Sequence, residues 1–340
     1  MRAVRYNRTG DADVLQVEDV PTPAPGPGEV LVRVHRSGVN PTDWKSRRGS
    51  EPGTPVDPPQ VPNQDGSGVV EAVGDGVEEA FRGLPVWVWE SAYQRPWGTA
   101  AEYALVPRRH VAVLPDGVSF DLGASLGVPF VTAHRCLTVA EDGPHRLGPG
   151  TLQDRVVLVA GGAGAVGNAA IQLARWSDAT VIATVSTAAK AQLAAAAGAD
   201  HVVNYRDQDV VAEIRRIAPH GVHAVVEVAP AQNASIDAQV VADHGSIAIY
   251  ANNGGDEVTV PIRPSMQTNA RWQFVLLYTA PAAAKVSAVE DIDTALREGA
   301  IRVGREAGLP LHHYPLEQTA RAHQAVEDGA VGKVLVDVAD

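Results

Sequence analysis

Along residues 1–125 the apolar positions fall into short β-branched or alternating runs, at 1–6, 30–35, 69–73 and 86–89. Side chains alternate across a strand, so such runs predict half-buried strands. Breakers separate them: Pro21 through Gly28, Gly74–Gly76 and Pro115–Gly117. Residues 50–62 carry five prolines and little period; they read as a loop of restricted backbone freedom that could lie over a site. After Ser119 the pattern changes. Helical spacing appears at 120–126 and 132–140, and then strand-like and helix-like stretches alternate. The series runs 156–160, 165–175, 180–185, 188–197, 201–204, 210–217, 224–228, 231–242 and 246–250. This alternation predicts a parallel sheet with helices on both faces. A strand-like run at 272–278, helices at 288–298 and 316–328, and a closing strand at 333–338 complete the chain. Residues 156–174 are apolar enough to resemble a membrane span, but four glycines, Asn168 and Gln172 interrupt them, and a strand, turn and helix account for every residue.

Composition narrows this picture. At 340 residues the chain is long enough for about two domains. A net charge of −12 and a pI near 5.4 argue against nucleic acid or an anionic membrane as the main partner. Cys136 is the one cysteine, which excludes an internal disulfide framework and a multi-cysteine zinc site. The N-terminus lacks the apolar core of a signal peptide, so a cytoplasmic protein is expected. The chain has 32 Gly and 24 Pro beside four Phe and shows no repeat, which implies many tight turns.

The segment from Val156 to Gly167 is the most informative. Read from Gly162 it is G-x-G-x-x-G (Gly162, Gly164, Gly167) between a strand and a helix. This is the pattern of a turn that admits a pyrophosphate to the backbone and to a helix N-terminus. Residues Gly162, Ala163, Gly164, Ala165, Val166 and Gly167 are therefore candidates for dinucleotide binding. The next strand ends in Thr184-Val-Ser186-Thr187, with Lys190 following, where an NAD-binding unit usually carries a carboxylate. Hydroxyls and an ammonium suit a 2′-phosphate, so NADPH is favoured over NADH. Tyr205 and Arg206, ending the third strand, would lie near the adenine end. Val228, and Tyr250 with Asn252, end the fourth and fifth strands, where an open sheet places its ligand.

Further motifs appear in order: residues 37–45 (SGVNPTDWK), 64–70 (QDGSGVV), 98–106 (GTAAEYALV), Thr132-Ala133 and 332–338 (GKVLVDV). With the glycine turn, this set resembles the medium-chain dehydrogenase/reductase superfamily, in its zinc-free quinone-oxidoreductase (zeta-crystallin-like) branch. The resemblance covers essentially the whole chain. It implies a Rossmann-type doubly wound parallel sheet, residues 130–279, inserted in a β-rich GroES-like catalytic domain, residues 1–129 plus 280–340. NADPH is expected between the two, touching Thr132 as well. The superfamily's zinc alcohol dehydrogenases hold their metal by Cys, His and Cys; by motif position those sites are here Asn40, Gln64 and Val128. Carboxamides and an alkyl chain are not zinc ligands, so no metal is expected. His220, His223, His312 and His313 lack companions at metal spacing and read as exposed loop residues. Short-chain dehydrogenases are excluded, because none of the seven tyrosines has Lys four residues on.

Without a Lewis acid the protein must position the nicotinamide beside an electron-poor acceptor, a quinone or an α,β-unsaturated carbonyl. Positioning can supply about 7–11 kcal/mol of a barrier and a well-placed donor to the acceptor oxygen about 3–4 kcal/mol. The resemblance points to Asn40 as that donor; a plain turn residue before Pro41 is the alternative. Lys45 stands near where the branch often has a tyrosine, and either polarises an oxygen or is a surface lysine. Asp43 reads as a structural hydrogen-bond partner. Trp87, Trp89, Tyr93 and Trp97 form either a stacking wall for a flat substrate or core packing, with Tyr93 the better pocket candidate. The family also implies a homodimer through the 272–278 edge strand. Three rivals share these features: an enoyl or enone double-bond reductase, a tailoring reductase with a bulky dedicated substrate, and an NADPH-binding sensor without turnover.

Overall fold

Short alternating runs in the N-terminal third pair into two antiparallel-rich sheets. The computed structural model describes residues 1–339 and divides them into two compact units, 1–128 with 311–339 and 129–310. In chain order the first unit contains β1 (Arg2–Arg8), β2 (Gln16–Asp19), β3 (Glu29–Val39), α1 (Pro41–Arg48), β4 (Pro55–Gln60), β5 (Asp65–Val73), β6 (Pro85–Val88), β7 (Tyr103–Pro107), β8 (Val111–Val113) and α2 (Phe120–Gly123). The helix α3 (Gly127–Leu137) leads into the second unit: β9 (Val156–Ala160), α4 (Ala165–Trp176), β10 (Thr180–Val185), α5 (Ala188–Ala196), β11 (His201–Asn204), α6 (Val210–Ile217), β12 (Val222–Glu227), α7 (Pro230–Val240), β13 (Val241–Ile249), α8 (Ile262–Gln267), β14 (Arg271–Phe274) and α9 (Ala282–Arg297). The chain then returns to the first unit as β15 (Leu311–Pro315), α10 (Thr319–Glu327) and β16 (Lys333–Asp337).

In the first unit a seven-stranded sheet runs β15-β16-β3-β5-β6-β8, with β7 also on β3. The closing strand lies antiparallel to β3, with Val334 opposite Val39 and Leu335 opposite Gly38. The alternating valines of β3 and β16 turn into one core with Val61, Ala101, Leu316 and Ala322. Residues 50–62 are not one loop: 55–60 form β4, the edge of a three-stranded sheet β2-β1-β4. An edge strand tolerates the missing proline N–H groups, which is why three prolines fit there. Trp87 and Trp89 are fully or nearly buried with ring centroids 4.9 Å apart, and Trp97 packs half-buried against the core that holds Val61, Val86 and Val88. Core packing therefore accounts for all three tryptophans.

The second unit's six parallel strands follow the order β11-β10-β9-β12-β13-β14. Numbered within this unit, that order is 3-2-1-4-5-6, the Rossmann arrangement, which places a crevice where connections leave β9 and β12 in opposite directions. Buried β-branched residues of β9, β10 and β12 fill the sheet's middle: Val157, Val181, Ile182, Val225 and Val226. The unit runs on to Pro310 and takes in α9, whose Asp291 is bound by His134 of α3 at 2.8 Å and by Arg146 at 2.6 Å. Among the described residues no helix is long and apolar enough to cross a membrane.

Candidate active site

After β9 the chain must reverse into α4 within four residues. Gly161 takes φ +70°, and its N–H and that of Gly162 both donate to the Thr184 carbonyl at 3.1 Å. The tight-turn role thus belongs to Gly161, one residue before the motif as read from Gly162. Gly162 instead packs on β10, where a Cβ would lie 2.8 Å from the Ala183 Cβ. At Gly167 a Cβ would come within 2.4 Å of the Gly161 carbonyl oxygen, so only glycine lets α4 approach the turn this closely. Gly164 caps α4 with no side chain of its own and is exposed. The first-turn amides of Ala165, Val166 and Gly167 have no intrahelical acceptor, and the helix dipole adds positive charge there. Inside α4, Asn168 Nδ2 donates to the Ala307 carbonyl at 2.8 Å and Gln172 bonds both backbone groups of Arg302, which pins the helix from behind.

The same edge of the sheet gathers the remaining candidates. Ser186 and Thr187 follow β10; Thr187 caps α5, its hydroxyl accepting from the Lys190 N–H at 3.2 Å. No described side chain pairs with the half-buried Lys190 ammonium. Tyr205, 51% exposed, sits beside β10 through its N–H to the Val185 carbonyl. Val228 follows β12 and packs on the glycine turn, 3.1 Å from where a Cβ of Gly161 would stand. Burial pushes the Tyr250 phenol up, and the exposed Asn252 donates to the Asp256 carboxylate. Thr132 is buried on α3.

A buried carboxyl pair supports this edge and was not anticipated. Glu227 ends β12 and accepts from the Ala229 N–H and from Asn233 Nδ2. Burial and the Glu227 charge raise Asp237 well above the usual carboxylate range. The signal in the sequence is one acid closing the apolar run Ala224–Val226.

In the first unit the conspicuous feature is a cluster without solvent. Asn40, Asp43, Asp65 and Lys333 are each 3% exposed or less. Asn40 precedes Pro41 at the start of α1, and its N–H donates to Asp43 Oδ2 at 2.7 Å. Asp43 Oδ1 accepts from the Gln64 N–H at 3.0 Å, the structural role expected of it. Asn40 Nδ2 donates to Asp65 Oδ2 at 2.7 Å, while Lys333 Nζ donates to Asn40 Oδ1 at 2.7 Å and lies 3.4 Å from Asp65 Oδ2. The Val128 N–H, in the first turn of α3, donates to both Asp65 oxygens at 2.9 and 3.0 Å. Glycines make the space: a Cβ at Gly127 would strike Asp65 Oδ1 at 2.0 Å, and one at Gly38 would strike the Ala124 carbonyl oxygen at 2.1 Å and sit 3.0 Å from Lys333 Cε. Burial raises the Asp65 carboxyl and lowers the Lys333 ammonium, while their mutual attraction and hydrogen bonds favour the charged pair. Burial, and next the Asp65 charge, push Asp43 up to about 8.

Lys45 is exposed on α1, its ammonium 5.8 Å from the Trp44 ring centroid. Tyr93 is half-buried, with its hydroxyl accepting from Gln94 Nε2 at 3.3 Å. Neither shares the buried surroundings of Asn40. Three histidines expected in loops are in strands: the β12 residue His223 accepts from the Val156 N–H at 2.9 Å, and His312 and His313 lie on β15.

The alcohol dehydrogenase GroES-like domain family matches residues 26–116 and the zinc-binding dehydrogenase family residues 165–294. The quinone oxidoreductase of Sus scrofa is 30% identical over 99% of this chain and 97% of its own length. The chain belongs to the quinone oxidoreductase branch of the medium-chain dehydrogenase/reductase superfamily. Two solved structures are also similar: a mycobacterial protein complexed with NADPH (29% identity, TM-score 0.82, 99% and 100% of the two chains) and an NAD-dependent alcohol dehydrogenase (30%, TM-score 0.86, 100% of both).

Membership in a superfamily with a zinc-binding name makes the metal question concrete. At the corresponding positions this quinone oxidoreductase relative offers the Asn40 amide, already bonded on both sides, Gln64 Oε1, which accepts from the Ala92 N–H at 3.1 Å, and the Val128 side chain. A lysine ammonium stands in the same cluster. This donor set has no thiolate or imidazole and does not fit zinc.

Proposed function

We propose that the protein is an NADPH-dependent, metal-independent reductase that delivers hydride to a quinone or an α,β-unsaturated carbonyl. NADPH, when bound, supplies the hydride; a proton from solvent completes the two-electron reduction. The observation that carries the reading is that one chain has both an open glycine turn and metal positions held by Asn40, Gln64 and Val128, with the Lys333 ammonium bonded to the first of them. Gly164 and the amides of residues 165–167 would take the pyrophosphate. Ser186, Thr187 and Lys190 would take the 2′-phosphate, with no carboxylate at that strand end to repel it. The mycobacterial relative's complex with NADPH supports this choice over NADH. Val228, Tyr250 and Asn252 would border the nicotinamide half. Asn40 would donate to the acceptor oxygen from its second amide hydrogen, and Lys45 and Tyr93 would border the substrate. The reading is tested by NADPH consumption with 1,4-benzoquinone; absence of turnover with it and with simple enones would favour a binding protein instead.

We also propose a cytoplasmic homodimer. β14 is an edge strand, and Phe274 at its end and Leu276 just beyond it expose 64% and 58% of their surface. Such an edge is a liability for a monomer and a ready surface for a second copy.

A further inference from the structure

We propose that Lys333 is a positioning residue for this reaction, its ammonium locking the Asn40 carboxamide so that an N–H, and not the carbonyl oxygen, is left for the acceptor. The proposal rests on the reading of Asn40 as the donor.

The two ends of a carboxamide are alike in shape, and only their partners decide which way it points. Here the partners leave no choice. An ammonium can only donate and a carboxylate accepts; Lys333 Nζ is 2.7 Å from one end of the amide and Asp65 Oδ2 is 2.7 Å from the other. The oxygen must face Lys333 and the nitrogen Asp65. Nδ2 carries two hydrogens. One goes to Asp65, and no described residue takes the second. In the reverse orientation the amide would offer an oxygen lone pair, which repels a carbonyl or quinone oxygen gathering negative charge. The Lys333 charge beside Oδ1 also polarises the amide and strengthens its N–H as a donor.

Stability alone is a weak reason for this lysine. Burying an ion pair often stabilises no more than apolar residues of the same volume would. Yet the chain makes specific room for it. Lys333 begins β16, which the chain completes only after the whole second unit, and β16 pairs with β3 so that Lys333 Cε comes beside Gly38. Asp65, at the start of β5, is held by the Val128 N–H as well. Two distant segments thus converge on one amide, and a third, through Val128, holds the carboxylate in place.

The test uses the full-length protein and removes both charges at once, so that no lone ion is left buried. In Lys333→Met/Asp65→Asn the new amide still accepts from Asn40 Nδ2 and Val128, but Asn40 Oδ1 loses the Lys333 donor. Folding is read by thermal melting, cofactor binding by NADPH titration, and turnover with 1,4-benzoquinone, in a cycle with Asn40→Ala. Asn40→Ala should lower kcat by about 100-fold. The Lys333→Met/Asp65→Asn variant should lower kcat by about 10- to 100-fold, a misplaced-donor effect, with NADPH Kd and quinone KM within about twofold of wild type. Adding Asn40→Ala to it should cost little more, because both changes remove one contact. Lys333→Gln/Asp65→Asn returns a neutral donor to Asn40 Oδ1 and should keep kcat within about tenfold of wild type, orientation rather than charge being the larger effect. A folded methionine variant with wild-type kcat, or losses that multiply in the combined variant, would overturn the proposal. So would a glutamine variant as impaired as the methionine one. If the methionine variant does not fold, the glutamine variant decides, since its loss of turnover in a folded protein contradicts the proposal. Wild-type kcat in Asn40→Ala would be a different failure, that of the donor reading itself.

Discussion

Gly164→Ala and Gly167→Ala separate the two jobs of the glycine turn. At Gly164 φ is −81° and an added Cβ meets nothing closer than the Gly161 oxygen at 3.4 Å. The folded protein accommodates alanine there, at a cost of at most about 1 kcal/mol for a poorer helix cap. The methyl group would, however, project from the exposed residue at the mouth of the turn, where a pyrophosphate needs the bare backbone. Losing one or two charge-assisted hydrogen bonds costs about 1.5–3 kcal/mol each, which raises the NADPH Kd by at least about tenfold. At Gly167 the Cβ would be 2.4 Å from the Gly161 oxygen and 3.0 Å from Gly162 Cα. The N-terminus of α4 would have to retreat by about 1 Å to restore ordinary contact, with an overpacking cost of about 1–3 kcal/mol. Gly167→Ala should therefore lose stability and binding together, whereas Gly164→Ala should lose binding with little change in Tm. Thermal melting and fluorescence titration of NADPH read the two effects separately. Wild-type affinity in Gly164→Ala would refute the assignment of this turn to the pyrophosphate.

Lys190→Ala should raise the NADPH Kd by about tenfold, the worth of one charge-assisted contact, and leave NADH binding unchanged; an equal effect on both cofactors would remove Lys190 from the 2′-phosphate. Leu276→Arg should shift the sedimentation coefficient from dimer to monomer without loss of fold, and an unchanged value would move the interface elsewhere. Stability should also fall on acidification through His323. Burial, with the Arg47 charge next, lowers its imidazole from 6.5 to about 3. The unfolded chain therefore takes up a proton below about pH 6.5 that the native state refuses until about pH 3, and stability drops by up to about 1.4 kcal/mol per pH unit across that window. His323→Gln, which keeps an N–H for Asn63 Oδ1, now bonded at 2.8 Å, should flatten this limb in urea melts; an unaltered slope would contradict it.

How much of this was legible depends on how local each signal is. The strands 180–185 and 201–204 and the helix 210–217 were readable to the residue, because their apolar period is set within one element. The glycine turn was readable as a motif, but the positive φ at Gly161 was not, since three adjacent small residues leave the register of the reversal open. Residues 55–60 read as a loop because proline content hides an edge strand whose partner, β1, lies far back along the chain. Trp87 on β6 and Trp89 just beyond it read as one wall, and only the packed structure shows that both are buried. Lys333 was the least legible. A lysine opening a strand reads as solvated, and its burial follows from Gly38, Asn40 and Asp65, brought to it by strand pairing nearly three hundred residues apart. The chemistry of the site was thus visible as absences, no cysteine and no histidine at the metal positions, while the cation that stands in the cluster was not.

The central claim is tested most directly by following absorbance at 340 nm while chelator-treated protein is mixed with 1,4-benzoquinone and either NADPH or NADH. The account predicts steady NADPH oxidation, undiminished by the chelator and not increased by added zinc, with NADH a markedly poorer donor. NADH preference, or activity that appears only when zinc is restored, would contradict it.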